Sequence, residues 1–245
     1  MKKYVISFAI AGLVGLPIIF LGNESDENIA HSDDSTEKQV GEAQKEYLDS
    51  KEEETSIMID TEPSEQLSKD YHKYLKEVLS LRGDGTHSGD DLDETALDHQ
   101  IQENALNKKA EELDVLPTEE EIEDYVERIK LTVTQGESES GKEVRGQEET
   151  YENLKEIMEG LEITEEEYWN EFLPSNSEHV IIEENVREEL QTIETTSSSE
   201  NADDVDEEID QMKERINEWE EIKNEIVNDY ITEYEEEIDD FKSSF

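Results

Sequence analysis

Apolar residues recur at helical spacing along most of this chain, and the pattern is clearest from about Leu92 to Leu131. Leu97, Ile101, Ala105, Leu106, Ala110 and Leu113 fall on one stripe. This predicts an amphipathic helix whose Glu103, Lys108, Glu111 and Glu112 face water. Asp114 interrupts the pattern, and Pro117 cannot extend the helix because it has no amide hydrogen. Thr118-Glu119-Glu120-Glu121 has the spacing of a capping box, in which the Thr118 hydroxyl accepts from the amide at 121 and the Glu121 side chain reaches back. Ile122, Tyr125, Val126 and Ile129 carry the next stripe. Two helices joined by a hinge result, and the rest of the chain is organised around them.

Other stripes flank this pair. Ser64-x-x-Leu67 introduces Leu67, Tyr71, Tyr74, Leu75, Val78 and Leu79, a helix that stops at Gly83. A polar stretch with Gly136, Gly141 and Gly146 precedes Tyr151, Leu154, Ile157, Met158 and Leu161. Thr164-x-x-Glu167 repeats the capping-box spacing and starts a short helix carrying Trp169, Phe172 and Leu173, closed by Pro174. Val180, Ile181, Ile182, Val186, Leu190 and Ile193 mark one more helix. After the Ser- and Asp-rich stretch 195–204, Val205, Ile209, Met212, Ile216 and Trp219 alternate by four and three, and the apolar face continues to Phe245 with a changed phase. An unbroken helix of about 40 residues would span roughly 60 Å. Its period favours packing against other helices, in cis or in a dimer.

The N-terminus follows other rules. Lys2 and Lys3 precede an uncharged run from Tyr4 to Gly22, which as a helix would reach about 28 Å, close to the roughly 30 Å thickness of bilayer hydrocarbon. An uncleaved anchor is the favoured reading and a cleaved signal peptide the competing one; both place the body outside the cytoplasm. From Asn23 to about Pro63 the chain is acidic, Ser-rich and poor in aromatics, which reads as a disordered tether. Val40, Tyr47 and Leu48 suggest at most a transient helix there.

Charge narrows the partners. With 71 acidic against 21 basic residues, the formal net charge is -50. Nucleic acid is excluded as a partner, because a phosphate backbone needs clustered Lys and Arg, and an anionic membrane surface would repel the chain. The bland reading of the charge is a solvated acidic surface, suited to high salt or alkaline surroundings; the sharper one is capture of basic clients or cations. The chain has no cysteine, so disulfides, thiolate catalysis and a lipidated N-terminal cysteine are ruled out.

Several stretches imitate chemistry without completing it. Gly136-x-x-x-x-Gly141-Lys142 resembles a phosphate loop, but Glu143 stands where Ser or Thr would hold magnesium, and Glu137 and Glu139 would repel phosphate. Asp84 to Asp93 has carboxylates and glycines, yet Thr95 occupies the place of the bidentate glutamate of a calcium loop. The histidines at 31, 72, 87, 99 and 179 form no i, i+4 pair, which disfavours zinc. Exposed carboxylate runs do not separate the protonation states of a catalytic pair. No catalytic residue, metal site or cofactor is assigned, and a non-enzymatic protein is expected.

The stretch from about Ala96 to Leu190 resembles the N-terminal domain shared by the extracytoplasmic chaperone SurA and the foldase PrsA. The residues that carry the resemblance are Leu106-x-x-x-Ala110-x-x-Leu113, the turn, Thr118-Glu119-Glu120-Glu121-Ile122 with Tyr125, then Leu161-x-Ile163-Thr164-Glu165-Glu166-Glu167-Tyr168-Trp169, and Val186 to Leu190. It implies an all-α, chaperone-like module that cradles unfolded or exported polypeptides. The prolyl isomerase domain usual in these families has no room in 195–204, so that activity is not carried over. Asp114 also stands where the family often has glycine.

The expected organisation is therefore all-α: a membrane segment over 1–22, a disordered acidic linker over 23–63, a SurA-N-like helical domain over 64–194, a linker over 195–204 and a long C-terminal helix over 205–245. Tyr168, Trp169 and Phe172, with Tyr125 and Tyr151, are the candidate client-binding residues. Core is the favoured reading of Trp169 and Phe172, since burying one large apolar side chain contributes about 1.5–3 kcal/mol, and the client cradle is the alternative. The expected partners are exported polypeptides, with the membrane met only through the N-terminal segment. The alternative function is an envelope scaffold that oligomerises through its C-terminal helix.

Overall fold

A computed structural model describes residues 35–51, 67–83, 89–136, 146–192 and 205–244, and the described residues form helices and turns with no strand among them. The N-terminal run 1–22 and the linker 195–204 lie outside the described residues. The helices are α1 (Thr36–Lys51), α2 (Lys69–Arg82), α3 (Gly89–Leu113), α4 (Glu119–Gln135), α5 (Gln147–Leu161) and α6 (Glu165–Glu167). After a π-helical turn (Tyr168–Phe172) come α7 (Leu173–Asn176), α8 (Glu178–Thr192), α9 (Val205–Glu233) and α10 (Glu235–Lys242). They divide into two units, each assembled from two separate stretches of chain. The first takes the described residues up to Lys45 together with Thr118–Ile181; the second takes Glu46–Pro117 and those from Ile182 onward.

In the first unit, α1 replaces part of the expected tether. Val40 is fully buried and Ala43 nearly so. Gly41 lies against Gly160 of α5 so closely that a Cβ at 41 would stand 3.0 Å from the Gly160 Cα, and nearer still to the Ile157 carbonyl. Two ion pairs flank the crossing, Lys38–Glu159 at 3.0 Å and Lys45–Glu162 at 2.6 Å. Hydrophobic spacing suggested at most a transient helix here because much of its contact face is made of small residues, which let backbones approach while contributing little hydropathy. The rest of the tether, 23–34 and 52–63, lies outside the described residues.

In the second unit the C-terminal helix folds back. Tyr230 and Ile238 join Leu67, Leu97, Ile101 and Ala105 in one core, and Trp219 joins Leu106, Ala110, Ile182 and Val186 in another. Lys108 lies 4.8 Å from the Tyr234 ring centroid, donates to its hydroxyl at 3.1 Å and pairs with Glu233. Trp219 donates its indole N–H to Glu183 at 3.1 Å. The expected continuous helix breaks at Tyr234, which leaves helical geometry with φ -115° and ψ 31°.

Both predicted capping boxes are present, Thr118 with Glu121 and Thr164 with Glu167. The helix ends before them are also alike. Val115 donates to Ala110 O at 2.9 Å and Asp114 to Glu111 O at 3.2 Å; Ile163 donates to Met158 O at 3.2 Å and Glu162 to Glu159 O at 3.1 Å. Each is a Schellman end, satisfying carbonyls that the helix leaves open. Asp114 and Glu162 hold the left-handed position at φ 59° and φ 58°, a place glycine fills without a Cβ clash. Asp114 thus adopts the turn without the glycine usual in the resembling family.

Three expectations need correction. Pro174 does not close its helix: the chain widens into the π turn, where Leu173 N–H reaches back to Tyr168 O, and runs on to Asn176. A π turn shifts the ladder by one residue, which accommodates a proline that cannot donate. The stretch 84–93, read as a Gly-rich connection and not as a cation site, is helical from Gly89 onward, and the Asp93 carboxylate is taken by His72 Nε2 at 3.0 Å and Lys76 Nζ at 2.5 Å. Glu103 does not face water but meets Tyr71, as described below.

Candidate binding site

The five aromatic candidates all fall in the first unit, around the π turn. Thr164 starts the segment by accepting from the Glu167 amide at 3.2 Å while Glu167 accepts from the Thr164 amide at 2.7 Å. That reciprocal cap holds Glu167 below the usual carboxylate range through its bonds to Thr164. It also aims Glu165 at two aromatic donors. Glu165 accepts from the Trp169 indole N–H at 3.2 Å and from the Tyr151 hydroxyl at 3.0 Å, tying α5 to the π turn. Accepting this bond, Glu165 pushes the Tyr151 phenol upward.

Inside the turn, Tyr168 meets Trp169 edge-on, with centroids 5.0 Å apart at 87°, and stacks with Phe172 at 5.4 Å and 25°. Both geometries suit the quadrupoles of aromatic rings. Tyr168 is wholly enclosed, and Trp169, Phe172 and Tyr125 are also buried. Burial, with a smaller contribution from nearby Tyr125, pushes the Tyr168 phenol far up. Tyr151 is half-buried. Cations cover the outer faces: Lys130 lies 5.8 Å from the Trp169 ring, Arg128 5.3 Å from Tyr125 and Lys155 4.3 Å from Tyr151.

Tyr168, Trp169 and Phe172 therefore pack as an aromatic core with Tyr125 buried nearby, and half-buried Tyr151 is joined to Trp169 only through Glu165. The core reading of Trp169 and Phe172 describes their place here. No group of three or more metal-ligating side chains occurs among the described residues.

Comparison with known proteins adds one relative. Glutamate-rich protein GrpA of Alkalihalophilus pseudofirmus is 24% identical over 179 residues, covering 73% of this chain and 94% of that protein. The chain is similar to it, and the shared trait its name states is an acidic composition. No protein-family model matches the chain. No solved structure matches it.

A second cluster, in the other unit, escaped sequence reasoning. The Tyr71 hydroxyl donates to Glu103 Oε1 at 3.0 Å. Gln100 accepts from the Ser68 amide at 2.9 Å, and Tyr47, Tyr71 and Tyr74 gather their rings. Enclosure raises the Glu103 carboxyl to about 7, against the pull of the Tyr71 bond in the other direction. The available signal was position: Gln100 and Glu103 lie at helical spacing beside the apolar stripe of α3, and both meet α2 or its cap.

Proposed function

We propose that this protein is an extracytoplasmic, membrane-tethered, chaperone-like protein that binds unfolded or exported polypeptides and has no prolyl isomerase activity. The observation that carries the reading is the return of α9 onto α3, through Trp219 and Tyr230. This is the arrangement expected of a SurA-type module whose C-terminal helix packs back on its N-terminal helices. The acidic composition, with 71 acidic against 21 basic residues, supports clients of basic character. The proposed membrane anchor is the run 1–22. Among the described residues no helix is long and apolar enough to cross a membrane.

A soluble form must begin before Ser35, because starting later strips α1 from α5. Such a protein is expected to suppress aggregation of chemically unfolded basic clients at substoichiometric to equimolar ratio, less well at high salt. Failure across several clients and salt conditions refutes the reading.

One observation favours a second reading, an envelope scaffold that oligomerises through its C-terminal helix. Residues 213–218 are exposed all round the helix, and Ile216 is 54% exposed. Ile216 belongs to the four-and-three repeat that continues to Trp219. Light scattering separates the two readings: a stable oligomer lost in Ile216→Glu supports the scaffold, and a monomer supports the chaperone.

A further inference from the structure

A carboxyl group and three tyrosines meet where the C-terminal half of α1, α2 and α3 pack together in the second unit. Glu103 sits mid-way along α3 and accepts one hydrogen bond, from the Tyr71 hydroxyl at 3.0 Å. The Tyr71 ring lies 5.4 Å from Tyr47 and 6.0 Å from Tyr74, and Tyr47 stacks on Tyr74 at 5.0 Å and 10°. The Tyr74 hydroxyl is buried without a hydrogen-bond partner. Glu103 as a residue is only partly buried.

An ionised carboxylate fits this site poorly. Its charge acts on Tyr47 from α1 and on Tyr71 and Tyr74 from α2; Asp70 acts on Tyr47 and Arg82 on Tyr74, and no cation offsets the burial of Glu103. On α3 itself His99, one turn away, is held below the usual imidazole range by burial. α9 packs on a different stripe of α3 and brings Tyr234 and Glu233 to Lys108, with Tyr230 within reach of its charge. One neutral hydrogen bond does not replace the hydration an enclosed carboxylate loses.

We propose that Glu103 is a proton-operated latch on this junction. Neutral, it lets the three tyrosines close over it. Ionised, it swings to solvent, the Tyr47–Tyr71 contact opens, and the C-terminal half of α1 is released from α2. The enclosure that holds the proton on this carboxyl to about 7 places the transition in the neutral range, above that of exposed carboxylates. The latch does not depend on the chaperone reading.

Hydrogen exchange of the full chain from pH 5 to 9, expressed as protection factors, tests it. Protection in α2 and in 46–51 is expected to fall at least tenfold through a midpoint near neutrality. In Glu103→Gln, which keeps the acceptor and cannot ionise, the profile is expected to be flat. Tyr71→Phe removes the donor that favours the carboxylate and is expected to move the midpoint to higher pH. A flat wild-type profile, a transition that survives Glu103→Gln, or a midpoint that falls in Tyr71→Phe overturns the latch.

Discussion

Replacing Gly160 by alanine sets two effects of opposite sign against each other. Alone, α5 would gain, because alanine is about 1 kcal/mol better than glycine inside a helix. In the first unit, the new Cβ would stand 2.8 Å from Glu42 N and 2.9 Å from Gly41 Cα, with the Lys38 carbonyl nearer still. All three atoms are backbone, so no side chain can turn aside. Ordinary carbon contacts lie at about 3.5–4.0 Å, and α1 must therefore move off by roughly 1 Å, loosening Val40 and Ala43, which are 0% and 5% exposed. Overpacking typically costs about 1–3 kcal/mol, and a rigid backbone crossing belongs at the upper end. The expected net loss is about 2 kcal/mol, read by urea denaturation followed by circular dichroism. Protection of the α1 amides is expected to fall with it. Gly41→Ala has the same sign, and the double variant costs less than the sum, because one displacement relieves both contacts. A Gly160→Ala protein as stable as the parent, or more stable by the helix gain, would refute the close crossing.

Other predictions concern charge and turns. Glu103 has its folded value raised to about 7 from 4.5, so its contribution to stability is fully present below about pH 4.5 and is lost as pH rises through 7. The stability of Glu103→Gln relative to the parent should therefore rise between pH 4.5 and 8 by up to about 3 kcal/mol, less whatever the swing to solvent relieves; an unchanged difference across that range contradicts it. Asp114→Gly removes the Cβ from a left-handed position and should stabilise by about 0.5–1 kcal/mol in thermal denaturation; a loss would mean that the aspartate makes a compensating contact. Thr164→Ala should cost about 0.5–2 kcal/mol and shift the tryptophan emission of Trp169, because the cap aims Glu165; unchanged stability would show the cap to be idle. Like-charged i, i+4 neighbours each cost about 0.2–0.5 kcal/mol and salt screens them, so the melting temperature should climb with sodium chloride below molar concentration. A flat trend would mean the repulsion is already compensated.

The local features of this protein were written in its sequence. Apolar spacing marks α2, α3, α4, α5 and α8, and the Thr-x-x-Glu signals place two helix starts to the residue, because a cap involves neighbours three positions apart and needs nothing distant. The same holds for the hinge at Pro117, whose missing amide hydrogen acts wherever the chain goes. Tertiary structure decided the rest. Glu103 reads as a surface residue until α2 brings Tyr71 to within 3.0 Å, since hydropathy records what a side chain prefers and not what is packed over it. α1 docks on α5 because Gly41 and Gly160 allow two backbones to touch, and small residues leave no trace in an apolar stripe. The return of α9 onto α3 and the assembly of each unit from two distant stretches depend on contacts more than a hundred residues apart, such as Lys108 with Tyr234 at a separation of 126. Such pairs are chosen by shape and charge at the moment of packing, and a linear pattern states only that an apolar face exists, not which face it will meet.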